Sequence, residues 1–217
     1  MKLTVMQTFN SQFRSCSTAK MTLPANIQEI FFETLHGDKS LLEFEEWLYT
    51  EKMLESILSP EDYLELISFG YKDDTDKYDL YKLLVKLIDK GEYEKWKLLK
   101  LLHQALQKDK DLPQILMAFY DLCCQGYHFL DNLGMGYGLA VEVPLSQADS
   151  WDELTVEQQQ KLLNSFYPRI EGEMRQIIRW LQMGKVVPTG IRNDFNYYSF
   201  IDNRTVEEKR STEFYNQ

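Results

Sequence analysis

The sequence predicts an all-α or mostly α protein, an antiparallel multi-helix bundle with at most a short strand or hairpin near 138–143. Three observations point there. Apolar residues recur every three to four positions through most of the chain, the period that gathers them on one helix face. Capping residues stand at the starts of these runs, and Gly or Pro interrupts their ends. The links between runs are short, as antiparallel helix neighbours require.

The elements follow in order. After Pro24, Ile27, Ile30, Phe31 and Leu35 share a face until Gly37. Ser40 and Glu43 form a capping box, in which hydroxyl and carboxylate satisfy each other's backbone amides, ahead of Leu41, Phe44 and Leu48. Thr50 is expected to cap a short helix carrying Leu54, Ile57 and Leu58. Ser59-Pro60-Glu61-Asp62 combines a capping hydroxyl, a proline at the first helical position and acids facing the positive dipole end. Tyr63, Leu66 and Ile67 then form its stripe, stopped by Gly70. Tyr78, Tyr81, Leu84, Leu87 and Ile88 predict a helix over 76–90, closed by Gly91. Tyr93, Trp96, Leu99, Leu102 and Leu106 predict another, and Asp111 with Pro113 opens a third, which turns Ile115, Leu116, Phe119, Leu122 and Cys123 inward.

From 127 to 150 the texture changes: aromatics and three glycines lead into Leu139-Ala140-Val141-Glu142-Val143, the expected strand. Thr155 and Gln158 form a second capping box, and Pro168 opens a strongly amphipathic run through Ile170, Met174, Ile177, Ile178 and Leu181 to Gly184. The tail, with Phe195, Tyr197, Tyr198, Phe200 and Ile201, is expected to lie over the bundle. Residues 1–23, rich in Ser, Thr, Gln and Asn, are expected as a poorly ordered arm, with 24–217 as a single helical domain.

With 217 residues, 44% hydrophobic and 13% aromatic, the chain can bury a core without staples. Its formal charge of −10 argues against nucleic acid or an anionic membrane surface as partner, because both demand clustered Lys and Arg. Cys16, Cys123 and Cys124 make neither an even framework nor a C-x-x-C pair, which implies a reducing, cytoplasmic compartment. The opening residues hold no unbroken apolar stretch of signal-peptide length, and no segment has the 18 or more apolar residues of a membrane span.

Chemistry-bearing patterns are sparse. Glu33-x-x-His36 has the spacing used by carboxylate-bridged di-iron bundles, but only one copy occurs, and His36 beside Gly37 reads as a helix-end residue. His128-x-x-Asp131 lies near Cys123 and Cys124, yet adjacent helical residues point about 100° apart, so both sulfurs cannot face one metal. Cys123 reads as a small core residue and His103 as an edge residue. Gly134-Met135-Gly136-Tyr137-Gly138 lacks the strand before it, the helix start after it and the Lys of a phosphate loop, and predicts close backbone packing or a turn. No catalytic residue, cofactor or metal ligand is assigned.

Charge is the more informative pattern. Residues 29–65 hold eleven acids against Lys39 and Lys52, a net of −9. On the expected helices Glu43, Glu46, Glu61 and Glu65 lie opposite the apolar stripes with Trp47 at the edge, and Glu43, Glu46, Trp47, Glu51, Glu55, Glu61, Asp62 and Glu65 form the candidate partner-binding surface. A dense acidic face beside an aromatic suits an electrostatically steered binder of a basic protein.

The stretch LLEFEEWLYTEKMLESILSPEDYLELISFGYKDDTDKYDLYKLL at 41–84, continued by IDKGEYEKWKLLKLL at 88–102, resembles the immunity-type proteins of bacterial polymorphic toxin and contact-dependent inhibition systems. The similarity extends into YHFLDNLGMGYGL and LLNSFYPRIEGEM. It is a pattern of helix-packing residues, so it transfers no residue-level role. It implies a cytoplasmic protein, not an enzyme, that binds one cognate toxin domain and blocks it. The expected function is therefore neutralisation of a basic toxin domain by the acidic helical face. The alternatives are a small-molecule enzyme or ligand-binding protein with a pocket around the 127–143 loop, using His128, Asp131 or the glycines, and a general protein-interaction module.

Overall fold

The computed structural model describes residues 23–71, 77–107, 111–144 and 148–210. The expected arm lies outside the described residues except for Leu23, which is buried in the core. Mostly α architecture is observed: eleven α-helices and a two-stranded antiparallel sheet among the described residues. In order these are α1 (Ala25–His36), α2 (Leu41–Thr50), α3 (Leu54–Ile57), α4 (Pro60–Ile67), α5 (Lys77–Leu87), α6 (Lys90–Leu106), α7 (Leu112–Cys124), α8 (Leu139–Glu142), α9 (Val156–Ser165), α10 (Arg169–Gln182) and α11 (Val206–Arg210). Strands β1 (Val186–Arg192) and β2 (Tyr198–Asp202) separate α10 from α11.

Local signals place most helix starts. Ser40 and Glu43 complete the capping box of α2, and Thr155 and Gln158 that of α9. At α4, Ser59 Oγ accepts from the Asp62 amide at 3.1 Å and donates to the Asp62 carboxylate at 2.9 Å. Replacing Ser59 by Ala exposes an orphan amide, with an expected loss of about 1 kcal/mol in urea denaturation; an unchanged midpoint would show that Pro60 and the acids suffice. Thr50, by contrast, does not cap α3. Its hydroxyl donates back to the Trp47 carbonyl within its own helix, and α3 starts after Met53 without a side-chain cap.

Two of the expected boundaries move. Helix α5 ends at Leu87, and Gly91 falls inside the first turn of α6, whose cap is Asp89, accepting from the Gly91 amide at 2.8 Å and the Glu92 amide at 3.1 Å. The glycine serves packing rather than termination: a Cβ there would stand 2.5 Å from the Pro188 carbonyl oxygen, because β1 runs directly across α6. The buried stripe of α5 is Leu80, Leu83 and Leu84, whereas Tyr78 is exposed with the Lys82 ammonium over its ring.

The hairpin is real but lies at 186–202, not near 138–143. Leu139–Glu142 is the short helix α8, continuing a π-helical turn over Asn132–Gly138 that packs along α7. The backbone of 132–142 therefore satisfies its own hydrogen bonds helically, and the apolar run Leu-Ala-Val buries Val141 from a helix instead of a strand. In the sheet Val186 faces Asp202, Val187 faces Ile201 and Pro188 faces Phe200, and a register shift then brings Arg192 opposite Tyr198.

Buried side chains form two clusters. The first joins α1 to α5, with Phe31, Phe44, Leu48, Leu54, Leu66, Leu80 and Leu84 at its centre. The second joins α6, α7, the π-helical turn, α10 and β1, around Leu102, Phe119, Tyr127, Phe129, Met174 and Trp180. Helix α6 serves both, giving Tyr93 and Trp96 to the first and Leu98, Leu102 and Ala105 to the second. No helix among the described residues is long and apolar enough to cross a membrane.

Candidate functional site: the acidic face of α2 to α4

Helical geometry decides which acids face outward. At 100° per residue, Leu42, Glu46 and Tyr49 fall within about 60° of arc on α2, while Phe44 and Leu48 take the opposite side. Burial agrees: Phe44 and Leu48 are buried, and Leu42 and Tyr49 are 52% and 62% exposed. On α4, Glu61, Leu64 and Glu65 share the outer sector and Leu66 the inner one, with Leu64 58% exposed. Met53, between α2 and α3, is also half exposed. Tyr71 ties the two helices together: its hydroxyl donates to the Leu66 carbonyl at 2.7 Å and its ring lies 5.9 Å from that of Phe44.

The eight expected surface residues divide into two groups. Glu46, Glu55, Glu61 and Glu65 are exposed, and no ion pair engages them among the described residues. The other four have structural duties. Glu43 closes the α2 capping box at 2.8 Å from the Ser40 amide, and the hydrogen bonds from Ser40 hold its carboxyl below the usual range. Glu51 accepts from the Met53 amide at 3.0 Å. Asp62 meets Lys86 at 2.5 Å; that hydrogen bond, aided by Ser59 and opposed by partial burial, holds its carboxyl low. Trp47 is half-buried, with its ring 6.0 Å from Phe31 and 5.6 Å from Phe44, and so belongs to the edge of the core. Leu42, Tyr49, Met53 and Leu64 were not expected on this surface, although the positions of Leu42, Tyr49 and Leu64 on the outer helix arcs are readable from spacing alone.

The remaining candidates are placed as follows. Glu33 pairs with Lys39 at 3.8 Å rather than with His36. His36 is exposed and stands edge-on to Trp96 at 5.4 Å; desolvation and the nearby Lys100 lower its pKa. His36 lies in the last turn of α1, as its helix-end reading expected, and Gly37 closes the helix in the left-handed conformation. His103 is exposed on α6. Gly134 and Gly138 are buried against α7, so the glycine-rich segment packs backbone on backbone and its amides do not line an open phosphate loop.

One cluster forms that spacing did not assign. The Cys123 thiol donates to Asp131 Oδ1 at 2.9 Å, His128 Nδ1 stands 3.8 Å from the same oxygen, and the three side chains offer ligand atoms all within 4.8 Å of one another. Cys124, one residue on, is exposed and points elsewhere, as helix geometry requires.

Compared with family models, curated proteins and solved structures, the chain finds no significant match.

Proposed function

We propose that this chain is an intracellular binding protein that neutralises a cognate basic toxin domain by covering it with the outer face of α2 to α4. The observation that carries the reading is the mixture on that face. Exposed Glu46, Glu55, Glu61 and Glu65 alternate with exposed Leu42, Tyr49, Met53 and Leu64. A protein interface uses both kinds, with Tyr and Met contributing desolvated contact and charge contributing steering and register. The net of −9 in 29–65 favours a cationic partner, and the resemblance to immunity-type proteins suggests its class.

The test starts from the neighbouring genes: a toxin domain encoded beside this chain is co-expressed with it. Reversing Glu46, Glu55, Glu61 and Glu65 to Lys adds two charges per site and takes the formal charge from −10 to −2. Because all four are exposed, melting temperature should stay within a few degrees of the parent. The expected result is loss of protection, together with an association rate that falls most at low salt, where the Debye length is long. Full protection by the folded quadruple variant, or a gene neighbourhood without any toxin domain, overturns the reading.

A further inference from the structure

We propose that Cys123, His128 and Asp131 form a three-ligand site for a single zinc-class divalent cation, with the fourth coordination position open to solvent. The sequence expectation assigned no metal because Cys123 and Cys124 cannot share one. The fold recruits different partners. After α7 the chain reverses through Gly126, and a 3-10 turn over His128–Leu130 brings His128 and Asp131 back to the last turn of the helix.

Geometry supports the assignment. Tetrahedral zinc holds sulfur at about 2.3 Å and nitrogen or oxygen at about 2.0–2.2 Å, which places neighbouring ligand atoms roughly 3.5 Å apart. The observed 2.9 Å from Sγ to Asp131 Oδ1 and 3.8 Å from that oxygen to His128 Nδ1 bracket this spacing, and all three ligand atoms lie within 4.8 Å of one another. Thiolate, imidazole and carboxylate together suit zinc better than calcium or magnesium, which prefer all-oxygen shells. The anchoring is graded. Cys123 is 3% exposed and its Cβ is backed by Gly134, so its position is fixed from behind. Asp131 is partly buried, and the His128 side chain is 70% exposed, which leaves the outer side of the site to water or to a ligand from a partner. The site also sits at the carbonyl end of α7, where the helix dipole favours a cation.

Without metal, the Cys123 thiol donates to Asp131 Oδ1 at 2.9 Å. On binding, a metal–sulfur bond forms, the thiol proton passes to solvent, and Asp131 exchanges that proton's hydrogen bond for the metal. No oxidation or reduction is involved. This inference does not rest on the proposed toxin partner.

Cobalt(II) is the probe, added to metal-free full-length protein in which Cys16 and Cys124 are replaced by Ser, leaving Cys123 as the sole thiol. The expected result is a thiolate-to-cobalt charge-transfer band saturating at one equivalent and displaced by zinc. The exposed His128→Ala and the near-isosteric Asp131→Asn should each weaken binding tenfold or more, while the melting temperature of the metal-free protein stays unchanged. Absence of the band, or affinity unaltered in both variants, overturns the site.

Discussion

Gly138→Ala is expected to destabilise the protein by about 2–3 kcal/mol, whereas Gly172→Ala should stabilise it by roughly 0.5–1 kcal/mol. Both glycines lie in helical segments, where the propensity argument alone favours alanine at each. The surroundings reverse the sign at one of them. A Cβ on Gly138 would stand 2.3 Å from the Leu116 carbonyl oxygen and 2.9 Å from Tyr120 Cβ, and Gly134, one turn earlier, meets Phe119 and Cys123 of α7 at 2.8 Å. The opposing atoms are mostly backbone, so a methyl can enter only if α7 and the π-helical turn part, and that separation opens the second core. Gly172 on α10 has nothing within 4 Å of the corresponding position. Equilibrium urea denaturation of the two variants side by side is the measurement. Equal shifts of the same sign would mean that the α7 contact adapts freely.

The same glycines show where sequence reading works and where it stops. Close backbone packing or a turn was legible at 134–138 because the glycines lack the flanking strand, helix start and Lys of a phosphate loop; that Gly134 and Gly138 share one face of a helical turn against α7 was not. The helical state of Leu139–Glu142 was not legible, because three apolar residues and one Glu fit either period and only contact with α7 decides. Caps were the most readable feature: Ser40, Ser59 and Thr155 act through groups three residues away, so no tertiary information is needed. The hairpin was the least readable. Pro188 and Gly190 argue against a strand, and what holds β1 and β2 is distant: Tyr198 stacks on Tyr127 at 4.6 Å and its amide donates to the Gln125 carbonyl at 2.7 Å.

For the candidate site, acid density in 29–65 is a property of composition and survives any fold. Which acids remain available is a property of contacts. Glu43 was readable both as a capping residue and as a surface charge, and the structure spends it on the cap. Asp62 is drawn away by Lys86, 24 residues on, a pairing that no local pattern announces. The convergence of Cys123 with His128 and Asp131 depends on the turn at Gly126, and spacing along one helix misses it.

Asp202→Ala is expected to cost about 3 kcal/mol, because it removes the carboxylate that compensates a buried guanidinium. Arg204 has a side chain only 5% exposed, donates from Nε and Nη2 to the two Asp202 oxygens at 2.9 and 3.0 Å, and lies 4.9 Å over the ring of Trp180. Around this pair the hairpin closes onto the end of α10: Asn203 donates to the Lys185 and Gly184 carbonyls at 2.7 and 3.1 Å, and Lys185 and Trp180 both reach Glu208 of α11. Burial opposes the charge on Asp202, but the hydrogen bonds from Arg204, with the nearby charges of Arg204 and Lys209, outweigh it and hold the carboxyl below its ordinary value of 3.8. A carboxyl lowered on folding contributes stability that is fully present above its unfolded pKa and is lost as pH falls through the folded one. The gap between parent and Asp202→Asn in urea denaturation should therefore be constant from neutral pH down to about pH 5 and narrow progressively below pH 4. Replacing both partners, Asp202→Ala with Arg204→Met, should recover part of the single-variant loss, since no charge is then left buried. A gap that stays constant down to pH 2, or a double variant as unstable as the sum of its parts, would place the stabilisation in the packing of Trp180 and not in the ion pair.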